Sequence, residues 1–159
     1  MNKTLVAALI SGIVGFAAGN AFWYLASPLW INVTVSESAP TQASVPLMTG
    51  TFRDADSIHR GKGTVTILDT GNGRRIARLS DFQVTNGPDL EVWLVAKRNI
   101  QSSSDVKASK YVSLGQLKGN IGDQNYEIPA NVEINDYESI VIWCEQFGVL
   151  FSAADLANA

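Results

Sequence analysis

One cysteine and one histidine are the only thiol and imidazole groups in this chain of 159 residues. Cys144 ends the run Ser139-Ile140-Val141-Ile142-Trp143-Cys144, and His59 lies in the polar stretch Ser57-Ile58-His59-Arg60-Gly61-Lys62-Gly63. A thiol can cycle between reduced and oxidised forms, and as a thiolate it can hold a haem or another soft metal centre. An imidazole can ligate iron or assist a nearby thiol. The candidate chemistry is therefore redox: Cys144 as the redox thiol, Cys144 with His59 as cofactor ligands, and haem as the candidate group. Against this stands a plainer reading, in which Cys144 is a small core residue on the strand face of Ile140 and Ile142, and His59 is a surface histidine. A lone cysteine forms no intrachain disulfide, an unusual trait for a domain in an oxidising compartment. A lone histidine excludes both the zinc-hydrolase sites and a bis-histidine haem within one chain.

The remaining polar clusters suggest little chemistry. Asp54-Ala55-Asp56, and Asp123 with Asn120 and Asn125, carry hard oxygens suited to calcium, but neither follows a full calcium-loop spacing, so turn chemistry explains them and no metal site is expected. A nucleophile elbow GxSxG is absent, and His59 has no Ser or Asp spacing that would define a triad. The pairs Gly61-Lys62-Gly63 and Gly71-Asn72-Gly73 open strands rather than helices, so no nucleotide fingerprint is present. Twelve Lys plus Arg against fifteen Asp plus Glu give a net charge of −3. The basic residues are scattered, which leaves no footprint for nucleic acid.

The elements that must position these residues begin with a charge-free stretch. Between Lys3 and Glu37 no charged residue occurs. The run from Leu5 to Ala26 would measure about 33 Å as a helix at 1.5 Å per residue, enough to cross a hydrocarbon core of about 30 Å. Trp23, Tyr24 and Trp30 mark its far end, where amphipathic rings favour the headgroup layer. Residues 1–30 are thus expected to be a single-pass anchor. With Lys3 before the span and Arg53 the first basic residue after it, the N-terminus is expected in the cytoplasm and the domain outside, periplasmic or at the cell surface. The alternative is secretion after cleavage of a signal peptide near Gly19 to Ala21. Gly15 and Gly19 form a GxxxG pair, a weak hint of a helix-mediated dimer. Residues 31–46 read as a Ser/Thr/Pro-containing spacer, and the sequon Asn32-Val33-Thr34 is read as chance.

Residues 47–159 carry an all-β pattern of short Val-, Ile-, Thr- and aromatic-rich segments separated by Gly, Asn, Asp and Pro. Thr64 to Leu68 turns through Asp69 to Gly73 and returns toward Ile76 and Leu79 as a hairpin. Asn86-Gly87-Pro88-Asp89 is a turn, after which Leu90, Val92 and Leu94 alternate along one face. Tyr111 to Leu117 is a strand, Gly119 to Gln124 a polar turn, and Tyr126 to Ile128 a short strand. Ser139 to Cys144 is apolar on both faces, as in a central strand, and Phe147, Val149 and Phe151 complete a final one. Asp81 and Asp89 are expected to hold turns by side-chain hydrogen bonds. An antiparallel β-sandwich follows, with a partly closed barrel as second choice.

Three stretches together resemble a known family: Arg78-Leu79-Ser80-Asp81-Phe82 running into Thr85-Asn86-Gly87-Pro88-Asp89-Leu90-Glu91-Val92-Trp93-Leu94; Tyr111 to Asn120 with Gln124 to Pro129; and Val141-Ile142-Trp143-Cys144 followed by Phe147 and Phe151. From about Gly50 to Ala154 the chain is similar to the DM-thirteen domain, the electron-transfer family found beside DOMON domains in Skeletor-type proteins. That resemblance implies a sandwich-like, extracytoplasmic domain whose characteristic cysteine, matched here by Cys144, serves redox chemistry as a free thiol or by holding a prosthetic group such as haem. The chain has no DOMON segment of its own, so the resemblance implies a separate redox partner protein. The alternative function is a non-catalytic binding or adhesion module, in which the turns Asn86 to Asp89 and Gly119 to Asn125 present polar groups and Cys144 fills the core.

Overall fold

A computed structural model describes residues 2–27, 30–40, 44–71 and 73–159. The expectations for Pro28 and Leu29 in the anchor, for 41–43 in the spacer and for Asn72 in the hairpin turn lie outside the described residues. The first element is α1 (Lys3–Ala26), whose Asn2 side chain accepts the Thr4 N–H to cap its start. None of its residues is buried, and its apolar side chains project on every side. A helix that is apolar all round has no polar face to turn toward water. Its 24 residues are long and apolar enough to cross a membrane, which suits an anchor or a signal sequence.

The rest folds as the expected β-sandwich, with two sheets and no closed barrel. In chain order the strands are β1 (Thr34–Ser36), β2 (Val45–Thr51), β3 (Arg53–Asp54), β4 (Gly61–Asp69), β5 (Arg75–Val84), β6 (Leu90–Val95), β7 (Tyr111–Gln116), β8 (Ile121–Ile128), β9 (Ser139–Cys144), β10 (Val149–Asp155) and β11 (Ala157–Asn158). A short helix, α2 (Ser103–Lys107), lies between β6 and β7. One sheet runs β1-β8-β5-β4-β2-β11 and the other β3-β10-β9-β6-β7. All described pairings are antiparallel except β1 with β8.

Alternation along the central strands builds two cores. Leu90, Val92 and Leu94 of β6, with Ile140, Ile142 and Cys144 of β9, face inward onto Val65, Ile67, Leu79, Phe82 and Tyr126. The opposite faces of the same strands, through Trp93, Val95, Val141 and Trp143, pack under Ile100 and Val106 of the α2 segment. A central strand covered on both sides is apolar on both faces, and β9 is buried at every position, its one polar residue, Ser139, donating to the Lys97 carbonyl.

Several expectations are corrected. The segment 31–46 is not a free spacer throughout: Thr34–Ser36 pairs in parallel with Ile121–Asp123 of β8, and β2 already begins at Val45. The turn expected from Gly119 to Gln124 is shorter, because Ile121 opens an eight-residue strand. Phe147 belongs to no strand. It sits exposed in the β9–β10 turn, where Gly148 at φ 62° returns its N–H to the Cys144 carbonyl at 2.8 Å. Asp81 and Asp89 mark the backbone in a different way from that expected. Both lie at φ 50°, a left-handed conformation that short polar side chains tolerate better than most. Asp81 faces a bulge in the β4–β5 ladder at Gly63, where φ is 106° and a Cβ would come within 2.8 Å of the Ser80 and Asp81 carbonyl oxygens.

Candidate functional site

Cys144 is the last residue of β9, paired with Leu90 on one side and Val149 on the other. It is fully buried, and its Sγ donates to the Pro88 carbonyl at 3.1 Å. Burial pushes the thiol pKa up. Nearby N–H groups of Phe147 and Gln146 act the other way, while the Asp89 and Glu145 carboxylates reinforce the rise. A thiol held protonated is a weak nucleophile and a weak metal ligand. The backbone around it is tied by the Glu145 N–H, which donates to the Asp89 carbonyl at 3.0 Å.

His59 sits in the loop between β3 and β4. Asp56 organises that loop: its Oδ1 accepts the N–H groups of Ile58 and His59, both at 2.7 Å, and its Oδ2 meets His59 Nδ1 at 2.7 Å. The hydrogen bonds from the His59 side chain and backbone, and then from the Ile58 backbone, hold the Asp56 carboxyl down at about 2. The imidazole packs tilted against Phe151, with ring centroids 4.3 Å apart and planes at 56°. Phe151 in turn presses on Gly87, where a Cβ would come within 2.6 Å of its ring. The fold thus brings His59 and Cys144 to the same end of the sandwich, linked through Phe151, Gly87 and Pro88. The two side chains take different partners: the thiol is directed at the Pro88 carbonyl, and Asp56 holds His59 Nδ1, which orients the imidazole and leaves Nε2 as its remaining ligand nitrogen.

Two clefts open at this end. One of about 480 Å³ is lined by Asn32, Asp54, Arg60, Lys62, Gln83 and Thr85. A smaller one of about 210 Å³ lies between Ile31, Val33, Asn86, Gly87, Asp89 and Gln116. Neither has Cys144 or His59 in its wall. Cys144 Sγ faces the Pro88 carbonyl rather than either cleft, so the arrangement as it stands presents no open coordination position for a porphyrin iron. Among the described residues no three His, Cys, Asp or Glu side chains converge as metal ligands. Asp54 accepts the Gly61 N–H at 2.9 Å, and Asp123 holds Arg78 at 2.6 Å and the Asp81 N–H at 3.0 Å.

Asn32, Asn86 and Asn120, read from the sequence only as sequon, turn and calcium-type residues, dominate this end together with Glu37 and Lys118. Asn120 Oδ1 accepts the Val33 N–H at 2.7 Å, and its Nδ2 reaches Asn32 Oδ1 at 2.9 Å and the Val84 carbonyl at 3.3 Å. Asn86 donates to the same Asn32 oxygen at 3.0 Å. Glu37 accepts from Lys118 at 2.7 Å and from the Asn125 N–H at 2.7 Å. Desolvation raises the Glu37 pKa, but Lys118, the Asn125 N–H and Arg78 outweigh it and the net shift is downward. Behind them lies a buried polar group. Gln124 bonds both the N–H and the carbonyl of Gly119, and the Tyr126 hydroxyl donates to Gln124 at 2.7 Å while accepting the Lys118 N–H at 2.9 Å. Burial drives the Tyr126 pKa up to about 12. A satisfied buried network of this kind specifies one arrangement, and it makes a seat for residues 32–37.

Residues 51–156 match the family model for electron transfer DM13. The chain belongs to that family of all-β, electron-transfer-type domains. No curated protein and no solved structure matches it.

Proposed function

We propose that this protein is a membrane-anchored, extracytoplasmic domain of the electron transfer DM13 family, with Cys144 as its redox group. The observation that carries the reading is the place of Cys144. The lone thiol of the chain ends a central strand inside the family-matched span, one four-residue turn from solvent. The anchor is supported by α1. Cleavage near Gly19 to Ala21 would leave Phe22, Trp23, Tyr24 and Leu25, all exposed, as an apolar tail in water.

In the closed arrangement the Sγ–H is shielded by Pro88 and by the turn Glu145–Gly148. Chemistry begins when that turn opens, admitting water and lowering the desolvation cost of the thiolate. The Cys144 thiolate then attacks a disulfide of a separate partner protein. A new sulfur–sulfur bond forms, the partner disulfide breaks, and its second sulfur leaves as a thiolate, so the electron pair moves onto the partner without any other oxidant. Local opening gives such a reaction a rate set by the protein rather than by the reagent.

The test is thiol titration of the full-length chain in detergent with an aromatic disulfide, in the folded state and in denaturant. The expected result is a native reaction whose rate saturates as reagent rises, at an opening rate faster than global unfolding. A Cys144 that reacts only at the global unfolding rate would overturn the reading. A second reading, a non-catalytic binding module with a structural cysteine, draws on the burial of Cys144 and on the cleft between Arg60, Lys62 and Asn32, and that outcome would favour it. An absorption spectrum before and after dithionite, run on the same sample, is expected to be featureless in the visible range.

A further inference from the structure

We infer that the end of the sandwich bearing Cys144 rests on the surface of the bilayer crossed by α1, with Ile58 and Phe147 inserted into its headgroup layer. The inference rests on reading α1 as a membrane span, and it adds a surface, its partner and the orientation of the domain. Three observations carry it.

The first is reach. The helix ends at Ala26, and Asn32 is already bound to the sandwich through Asn86 and Asn120, with Val33 held by Asn120 and by the Ile121 N–H at 3.2 Å. The five residues Ser27 to Ile31 would span less than about 20 Å even if fully extended. The Trp30 and Ile31 N–H groups both bond the Ser27 carbonyl. The domain therefore cannot drift from the bilayer surface, and the end that holds Asn32 is the end nearest to it.

The second is which loops share that end. The Thr85 N–H donates to the Arg60 carbonyl and its Oγ1 accepts the Arg60 N–H, His59 packs on Phe151, and Pro88 and Asp89 bind Cys144 and Glu145. The loops 55–60, 85–89 and 145–148 thus surround the point of attachment. The opposite turns, 69–75 and 129–138, lie a strand length away, about 30 Å for ten residues.

The third is what those loops expose. Ile58 is 74% and Phe147 64% exposed, each at the tip of a turn held by internal backbone and side-chain hydrogen bonds. Asp56 locks the first turn and the Gly148 N–H locks the second, so both apolar tips are held outward. Large apolar side chains at loop tips, beside a tether carrying the exposed Trp30, match the chemistry of the lipid interface, where aromatic and aliphatic groups replace water. A short tether raises the effective concentration of lipid at the loops, so two side chains suffice where a free domain would need a larger patch.

The placement has a consequence for Cys144. The turn that shields it also carries Phe147, so insertion of Phe147 couples opening of the thiol to the membrane surface.

The experiment uses the full-length chain in phosphatidylcholine vesicles, with nitroxide labels at Ile58→Cys, Phe147→Cys and, at the far end, the exposed Asn135→Cys. Each is made in a Cys144→Ser background and again with the buried Cys144 retained, so that a disturbed background is recognised by extra labelling. The expected result is a several-fold higher oxygen-to-nickel-chelate collision ratio at 58 and 147 than at 135. Flotation with the vesicles and an equally aqueous signal at all three sites would leave the anchor standing and overturn the inference. Failure to float would overturn both readings. Spin–spin broadening at 58 or 147 that vanishes on dilution in lipid would assign the surface to a second copy of the chain and also overturn it.

Discussion

The two ends of the sandwich close in different ways. The far end closes with ordinary turns: the β4–β5 hairpin is pinned by Thr70 and Arg74, whose backbones meet at 2.9 Å, and the 129–138 segment by consecutive short backbone bonds. The far end also has long-range side-chain bonds, such as Ser139 to the Lys97 carbonyl and Arg98 to that of Leu156, but at the tether end such bonds seat a separate segment of chain, with Asn120 on Val33 and Glu37 on the Asn125 N–H, beside Cys144 on Pro88. Its glycines mark close approaches. At Gly122, φ is 100° and a Cβ would lie 2.0 Å from the Val35 carbonyl, whereas at Gly73 in the far hairpin φ is 74° and the space is open. Local turns suffice to reverse a strand, but holding a separate segment against a sheet edge requires polar partners and room for its backbone.

The sharpest way to break this contrast is the glycine pair. Gly122→Ala is expected to combine positive-φ strain with a backbone collision and to cost about 3 kcal/mol or to expel residues 34–36 from the sheet. Gly73→Ala should cost about 1 to 2 kcal/mol, from φ alone. Urea unfolding of the two variants measures both, and equal losses would remove the distinction between the ends.

Next in size is Asn120→Ala. It removes the acceptor of the Val33 N–H and a donor to Asn32, and should destabilise by about 1 to 3 kcal/mol with faster amide exchange at Val33 and Ile121. Asn135→Ala at the far end, on an exposed side chain, is expected to stay within about 0.5 kcal/mol of the parent. Amide exchange at Val33 that stays slow in the Asn120 variant would show that strand pairing alone seats the tether.

Cys144→Ser should lose about 1 kcal/mol, since the hydroxyl can still donate to Pro88 but is less at ease in an apolar core. Native thiol reactivity should vanish with it. A much larger loss would mark the cysteine as chiefly a packing residue.

The smallest expected effect is on pH. The Glu37 pKa is lowered on folding, so its contribution is present above the unfolded value near 4.5 and is lost as pH falls through the lower folded value. As a half-exposed pair with Lys118 it is worth a few tenths of a kcal/mol after solvent screening. Asp56 follows the same sign, with its loop order present above about 3.8 and lost on approach to about 2. Chemical shifts of the Asn125 and His59 amides across that range would report the two events separately, and an invariant Asn125 amide would remove Glu37 from the seat.

Much of the central sheet architecture was legible without coordinates. The period of two in Leu90, Val92 and Leu94, and the unbroken apolar run of Ile140 to Cys144, state which strands are buried and that Cys144 faces the core with Ile140 and Ile142. The charge-free stretch from Thr4 to Ser36 likewise announces a segment suited to lipid. The docking of Thr34–Ser36 was not legible, because three residues show no period and their partners lie more than eighty positions away. The left-handed backbones at Asp81 and Asp89 were missed in part. Asp is a turn residue by type, but only the facing bulge and the Glu145 N–H show why each is needed where it stands. His59 and Cys144 are the one imidazole and the one thiol of the chain, yet their types carry no distance.

Residue type and order by themselves determined the apolar N-terminal helix, the β class, the inward face of Cys144 and the family, because these follow from local period, transfer preference and motif. Tertiary structure alone decided that the tether is part of the sheet, that the thiol is closed under Pro88, and that Ile58, Phe147 and Cys144 gather at one end. Those depend on hydrogen bonds and contacts between residues far apart in the chain, which exist only once the two sheets have packed.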